Sequence, residues 1–324
     1  MDQGSRVYVA GSRTLIGAAI QHALERQSLA AVISDGDQDP DWGDPRQVDA
    51  VFDRTRPDYV FVAAGASGGI GANQRYPAAL MRDNLLVACH VIESAHRHGV
   101  KKLLYLASSC SYPKHGPQPM AVASLLTGAL EPTNEAYAVA KLAGMKLCQA
   151  YRQQYGAHFI VGIPGDAFGP GDDFHPEYSH VIAALIRKMH EAKRYHTESV
   201  EVWGTGSPRR GFIYVDDLAD ACLFVMRAYD EAVPINLAGP WDVSVREAAQ
   251  MIKEVVGYRG PLRFDPSQPD GMPIKVLDAR PLQAMGWAPR VSFRDAVSAT
   301  YEWYVQHHAD PVATTGLATR SASR

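Results

Sequence analysis

The chain has 324 residues, 46% of them hydrophobic, and 32 Lys+Arg against 35 Asp+Glu, for a net charge of -3; that length can bury a sizeable core, and the slight acidity argues against general nucleic-acid binding. Its four cysteines, Cys89, Cys110, Cys148 and Cys222, form no C-x-x-C pair, so a reducing compartment and no metal site are expected. Met1 to Arg6 carries no signal-peptide pattern and no apolar run would span a membrane, so a soluble cytoplasmic protein is expected.

Arg6 to Ala10 (RVYVA) reads as a strand, Gly11-Ser12-Arg13-Thr14-Leu15-Ile16-Gly17 as a glycine turn, and Ala18 to Arg26 as an amphipathic helix. A dinucleotide site begins this way: glycines admit the pyrophosphate, and the helix N-terminus offers free N–H groups and a positive dipole end. Thr14 stands where a G-x-x-G-x-x-G loop carries its middle glycine, and its side chain should narrow the approach to the phosphates. A second strand, Ala30 to Ser34, ends at Asp35, placed to accept hydrogen bonds from an adenosine ribose and to repel a 2'-phosphate, which favours NAD over NADP. The same acidic stretch also reads as a plain turn-rich loop.

Asp58 to Ala64 (DYVFVAA) is a third strand, with Ala63 and Ala64 at the carboxyl end where open α/β sheets bind ligands, followed by the glycine loop 65–71. A helix from Pro77 to His98 and a strand from Lys101 to Ala107 complete the series, so a doubly wound parallel sheet is expected. Ser108-Ser109-Cys110 closes that strand, and Tyr137 and Lys141 lie on a helix expected from Glu135 to Tyr155. Residues four apart share one helix face, so the phenol and the ammonium can serve one site, the lysine favouring the tyrosinate. Chance pairs of this spacing are common; the order of elements around it gives it weight.

Strand His158 to Ile163 leads into Pro164 to Pro176, too rich in proline and glycine for regular structure. His180 opens a helix to Lys193 and could work as an acid or base near neutrality. Arg187, Lys188, Arg209 and Arg210 form a basic set suited to a diphosphate, or a solvated face. From Val200, short strands (VEVW, GFIYV, PINLA) alternate with helices 217–229 and 244–256, as a smaller substrate-binding lobe would. The expected division is 1–165, with returning segments, for the dinucleotide-binding domain, 166–307 for the lobe, and 308–324 for a frayed tail.

RPDYVFVAA, GGIGAN, KKLLYLASSCSYPK, LLTGALEPTNEAYAVAKLAGMKLC, FGPGDDFHPEYSHVIAALIRK, VWGTGSPRR, VDDLADAC and PDGMPIKVLD occur in that order. With them the chain resembles the GDP-L-fucose synthase family of extended short-chain dehydrogenases/reductases throughout, apart from the tail. The resemblance implies a Rossmann-type α/β fold and a homodimer acting on a GDP-linked 4-keto-6-deoxy-hexose: epimerisation at C3 and C5, then reduction of the C4 ketone by NADP(H) or NAD(H). It implies Cys110 as base, His180 as acid, Tyr137 as proton donor with Lys141, and Ser108 or Ser109 holding the oxygen. Pro164, Asp166 and His180 join the turn 11–17, Asp35, Ala63, Ala64, Tyr137 and Lys141 on the cofactor side. Ser109, Lys188, Trp203, Arg210, Asp270 and Lys275 match positions that hold the nucleotide-sugar. Departures from the family's pattern are Thr14, Ser34 to Asp37, Ala66, Gly165 to Phe168, Lys188 in place of arginine, and Gly211. They leave the NAD or NADP preference and the sugar open. An epimerase that retains its dinucleotide, or a silent nucleotide-binding homologue, are the alternatives.

Overall fold

The structure, a computed structural model, describes residues 1, 4–27, 30–33 (backbone only) and 39–308; Asp35 and the tail beyond His308 lie outside them. In chain order the first half runs β1 (Ser5–Ala10), α1 (Leu15–Gln27), β2 (Ala30–Ile33), α2 (Pro45–Thr55), β3 (Tyr59–Val62), α3 (Ile70–Arg75), α4 (Pro77–Arg97), β4 (Lys102–Leu106), α5 (Glu135–Tyr155) and β5 (Phe159–Pro164). The second half runs β6 (Asp166–Phe168), α6 (Val181–Arg194), β7 (Val200–Trp203), β8 (Arg209–Arg210), β9 (Phe212–Tyr214), α7 (Val215–Ala228), β10 (Ile235–Leu237), β11 (Val243–Ser244), α8 (Val245–Val256), β12 (Leu262–Asp265), β13 (Ile274–Lys275), α9 (Arg280–Ala284) and α10 (Phe293–His308).

Six strands make one parallel sheet in the order β10-β5-β4-β3-β1-β2. Its strands are apolar on both faces because helices cover both. Tyr8, Val60, Val62, Leu103, Tyr105 and Val161 pack under α2, α4 and α5. Their neighbours Val7, Val9, Phe61, Leu104 and Ile160 pack on the opposite face under α1 and α7. This is the expected Rossmann-type doubly wound sheet. A third core gathers α6, α8 and α10 around Phe168, Phe212 and Val202.

Two expectations change. PINLA forms β10, an edge strand of the main sheet and not of the lobe, because Ile235 to Leu237 pair with Gly162 to Pro164. Regular structure also enters the proline- and glycine-rich stretch: β6 pairs with β9, so Asp166 to Phe168 is extended. Elsewhere helix α5 has the expected bounds, stopping at Gly156, whose φ of 68° is the left-handed conformation that ends helices at glycine. Its Gly144 lies against β4, where a Cβ would stand 2.3 Å from the Tyr105 hydroxyl. That close approach sets α5 down on the sheet and brings Tyr137 and Lys141 to its carboxyl edge.

Candidate active site

The end of β4 turns through a 3-10 segment, Ser109–Ser111, with Ser108 as its N-cap. Tyr112, fully buried just beyond, donates to Asn236 Oδ1 at 2.6 Å and ties this turn to β10. Ser108 and Tyr137 are hydrogen-bonded to each other through their hydroxyls. Ser108, and not Ser109, is therefore the serine beside the phenol; Ser109 donates instead to Asp166 Oδ1 at 3.2 Å.

The Tyr137 phenol differs from the sequence expectation of a lysine-assisted tyrosinate. Burial pushes its pKa up, the charges of Cys110 and Asp166 add to that, and the Ser108 hydrogen bond only moderates it. Lys141 stands 5.9 Å from the ring centroid and donates to Leu106 O at 3.3 Å. Burial weakens the ammonium in turn, to a pKa of about 8. The phenol is thus held protonated across neutral pH, which is the state a proton donor needs.

Opposite lies a charged cluster. Asp166 Oδ1 is 2.7 Å from Lys275 Nζ, and its Oδ2 is 4.0 Å from Arg210 Nε. Burial works to raise the Asp166 pKa, but Lys275, Arg210 and His180 outweigh it and hold the carboxylate ionised. Burial likewise opposes the Lys275 ammonium, and Asp166 with the sulfur of Cys110 raises it again. His180 is the N-cap of α6 and is exposed. Desolvation lowers its pKa, Asp166 and Asp173 pull it up, and Lys275 pushes it down. Cys110 Sγ accepts a hydrogen bond from Asn134 Nδ2 at 3.2 Å.

These interactions put Asp166, expected on the cofactor side, among the residues expected to meet the sugar. The basic set does not converge: Arg187 pairs with Glu191 at 2.9 Å and Arg209 with Asp242 at 2.7 Å. Arg210 spends its guanidinium on the carbonyls of Arg209, Asp270 and Met272. The Asp270 carboxylate accepts from the backbone and hydroxyl of Thr205. Lys188 sits 5.7 Å from the ring centroid of half-exposed Trp203, leaving those two as an open cation–aromatic platform.

At the ends of β1 and β3 the residues fit a nicotinamide dinucleotide. Gly11, with φ +81°, lies so near β3 that a Cβ would be 2.5 Å from the Ala64 backbone. The Leu15 and Ile16 N–H groups begin α1 and have no acceptor within the helix. Lys141 carries three donors, and Leu106 O is its one hydrogen-bond acceptor among the described residues. Thr14 does not protrude as expected. Its hydroxyl turns inward, 2.9 Å from Gly11 O and 3.3 Å from Ala63 O, and accepts the Gly17 N–H at 3.1 Å. Its backbone is outside the left-handed region, so replacing glycine costs no strain and the side chain staples the turn. Arg13, Pro164, Ala63 and Ser12 line or adjoin the same strand ends.

Two asparagines, Asn84 buried and Asn134 partly buried, escaped sequence reasoning. Asn84 of α4 donates to Ala66 O at 2.8 Å and Leu80 O at 2.7 Å, pinning the glycine loop. Asn134 reads from sequence as an ordinary helix cap; only its contact with Cys110 distinguishes it.

The NAD dependent epimerase/dehydratase family profile matches residues 7–238. GDP-L-fucose synthase 1 of Arabidopsis thaliana is 48% identical over 306 residues, covering 94% of this chain and 95% of that protein. GDP-L-fucose synthase of Escherichia coli strain K12 is 42% identical over 311 residues, 93% of this chain and 97% of that one. A crystal structure of a GDP-L-fucose synthetase from Naegleria fowleri bound to NADP has a TM-score of 0.87 at 26% identity, covering 95% of this chain and 96% of that one. A likeness that runs through the sheet, the Tyr137 helix and the lobe alike makes this chain a member of the NAD dependent epimerase/dehydratase family, in the group that holds the GDP-L-fucose synthases.

Proposed function

We propose that the chain is an epimerase-reductase of a GDP-linked 4-keto-6-deoxy-hexose. The observation that carries this is a set of charges and side chains that reach one another: Asp166, paired with Lys275 at 2.7 Å, acts on both the protonated phenol of Tyr137 and the imidazole of His180, and the sulfur of Cys110 acts on Tyr137 and Lys275. Hydrogens at C3 and C5 are acidic because both flank the ketone. Cys110 removes one as thiolate, and His180 returns a proton on the opposite face of the enolate, inverting each centre. Ser108 then holds the C4 oxygen while Tyr137 gives it a proton, and Lys141 steadies the phenol and the ribose. When bound, the nicotinamide supplies the hydride to C4. Lys188, Trp203, Arg210, Asp270 and Lys275 are the proposed nucleotide-sugar contacts, the last three by shaping the pocket wall through the bonds described above. Residues 11–17, Ala63, Ala64, Pro164 and Asp35 make the proposed cofactor side.

The test is absorbance of NADPH and of NADH with GDP-4-keto-6-deoxy-D-mannose. Oxidation in proportion to a C4-reduced product is expected; C3/C5 exchange without oxidation would instead identify an epimerase with a retained dinucleotide. No described helix is long and apolar enough to cross a membrane. A homodimer in the cytoplasm is proposed on the resemblance, with molar mass in solution as the check on the first.

Asp166 gives this reading a pH signature. Because its carboxylate favours the His180 imidazolium, Asp166→Asn should move the alkaline fall of C3/C5 exchange to lower pH. The variant also leaves Lys275 without its anion, a loss of about 1–2 kcal/mol for a pair still partly open to water. An unmoved pH profile would mean that Asp166 does not act on His180.

A further inference from the structure

Residues Glu131 to Glu135 present one side chain to the reaction centre in an unusual way. Asn134 is the N-cap residue of α5, with φ −137° and ψ 20°, yet its side chain makes no capping hydrogen bond. Its Nδ2 donates instead to Cys110 Sγ at 3.2 Å, and its Oδ1 is buried with no hydrogen-bond partner. The turn that carries it is braced independently: buried Glu131 accepts from the backbone and hydroxyl of Thr133 at 3.3 and 3.2 Å and is 3.0 Å from Lys114 Nζ. An asparagine that forgoes its helix and leaves an oxygen unpaired incurs a cost of desolvation, so the sulfur contact is the feature this geometry keeps.

We infer that Asn134 is the positioning residue of the epimerisation base, its amide N–H fixing the direction in which the Cys110 sulfur points. A hydrogen bond to an ionised acceptor is roughly twice as strong as one to a neutral acceptor, so the contact holds the sulfur most firmly when it acts as base. The proton balance is simple: the thiol loses its proton to solvent, the thiolate takes one from C3 or C5, and His180 supplies the one returned.

This inference rests on Cys110 being the base, and the experiment separates the two. Alkylation of the full-length protein by iodoacetamide, followed by mass spectrometry of the peptide holding Cys110, reads the reactivity of the sulfur without any turnover. Asn134→Ala is expected to slow alkylation at pH 7.5 by about tenfold, and Asn134→Asp, the same shape with a negative charge, by more. C3/C5 hydrogen–deuterium exchange should fall in parallel, while single-turnover hydride transfer to an already epimerised ketosugar is unchanged. Alkylation and exchange at the wild-type rate in a folded Asn134→Asp variant would overturn the role of Asn134. If Cys110→Ser leaves exchange intact, Cys110 is not the base, and the reading beneath the inference fails instead.

Discussion

Tyr137→Phe is expected to lower nicotinamide oxidation by about a thousandfold, since a positioned general acid contributes on the order of 10² to 10⁴ in rate. The ring remains and only the hydroxyl leaves, so packing survives, and the lost bond to Ser108 costs about 1 kcal/mol. Exchange at C3 and C5 should persist because Cys110 and His180 are untouched. The measurement is NAD(P)H absorbance beside deuterium incorporation into the sugar. Oxidation that survives in Tyr137→Phe would mean that C4 takes its proton elsewhere.

Lys141→Met should act on activity and stability in opposite directions. Lys141 is 7% exposed, and its pKa falls from 10.5 to about 8 through burial, so the folded chain holds its charge at a cost. Methionine fills a similar volume without charge and forgoes a 3.3 Å bond to Leu106 O. Reduction is expected to drop by about a hundredfold or more, while stability at pH 7 rises by about 1–2 kcal/mol. Between pH 8 and 10.5 the unfolded chain binds the lysine proton and the folded chain does not, so wild-type stability gains from this group as pH rises. Below pH 8 the cost is fully present, and the variant's advantage should shrink across that window. Urea titrations of both proteins at pH 7 and pH 10 measure it; an advantage for the wild type at pH 7 would show that Lys141 is a net stabiliser.

Thr14 and Asp166 show where reading along the chain stopped short. At Thr14 the sequence reports a side chain where glycine is usual, but not its direction, and the direction is set by the carbonyls of Gly11 and Ala63 from two different strand ends. At Asp166 the extended stretch is hidden in a run of glycine and proline, because β6 exists only by pairing with β9. Arg210 looked like a phosphate ligand by charge; three backbone carbonyls from its own and neighbouring segments had already claimed it.

By itself the sequence determined the alternation of apolar strands and amphipathic helices, hence the doubly wound sheet, and the pairing of Tyr137 with Lys141 on α5. Those are local properties: side chains repeat every two residues in a strand and about every 3.6 in a helix, and the period is written in the order of residues. Tertiary structure alone decided that Asp166 meets Lys275 and Arg210, that Thr14 points inward, and that Asn134 serves a sulfur and not its helix. Each depends on atoms brought together from distant segments by burial of three separate cores, and the charge each group carries follows from that burial and from the neighbours it selects.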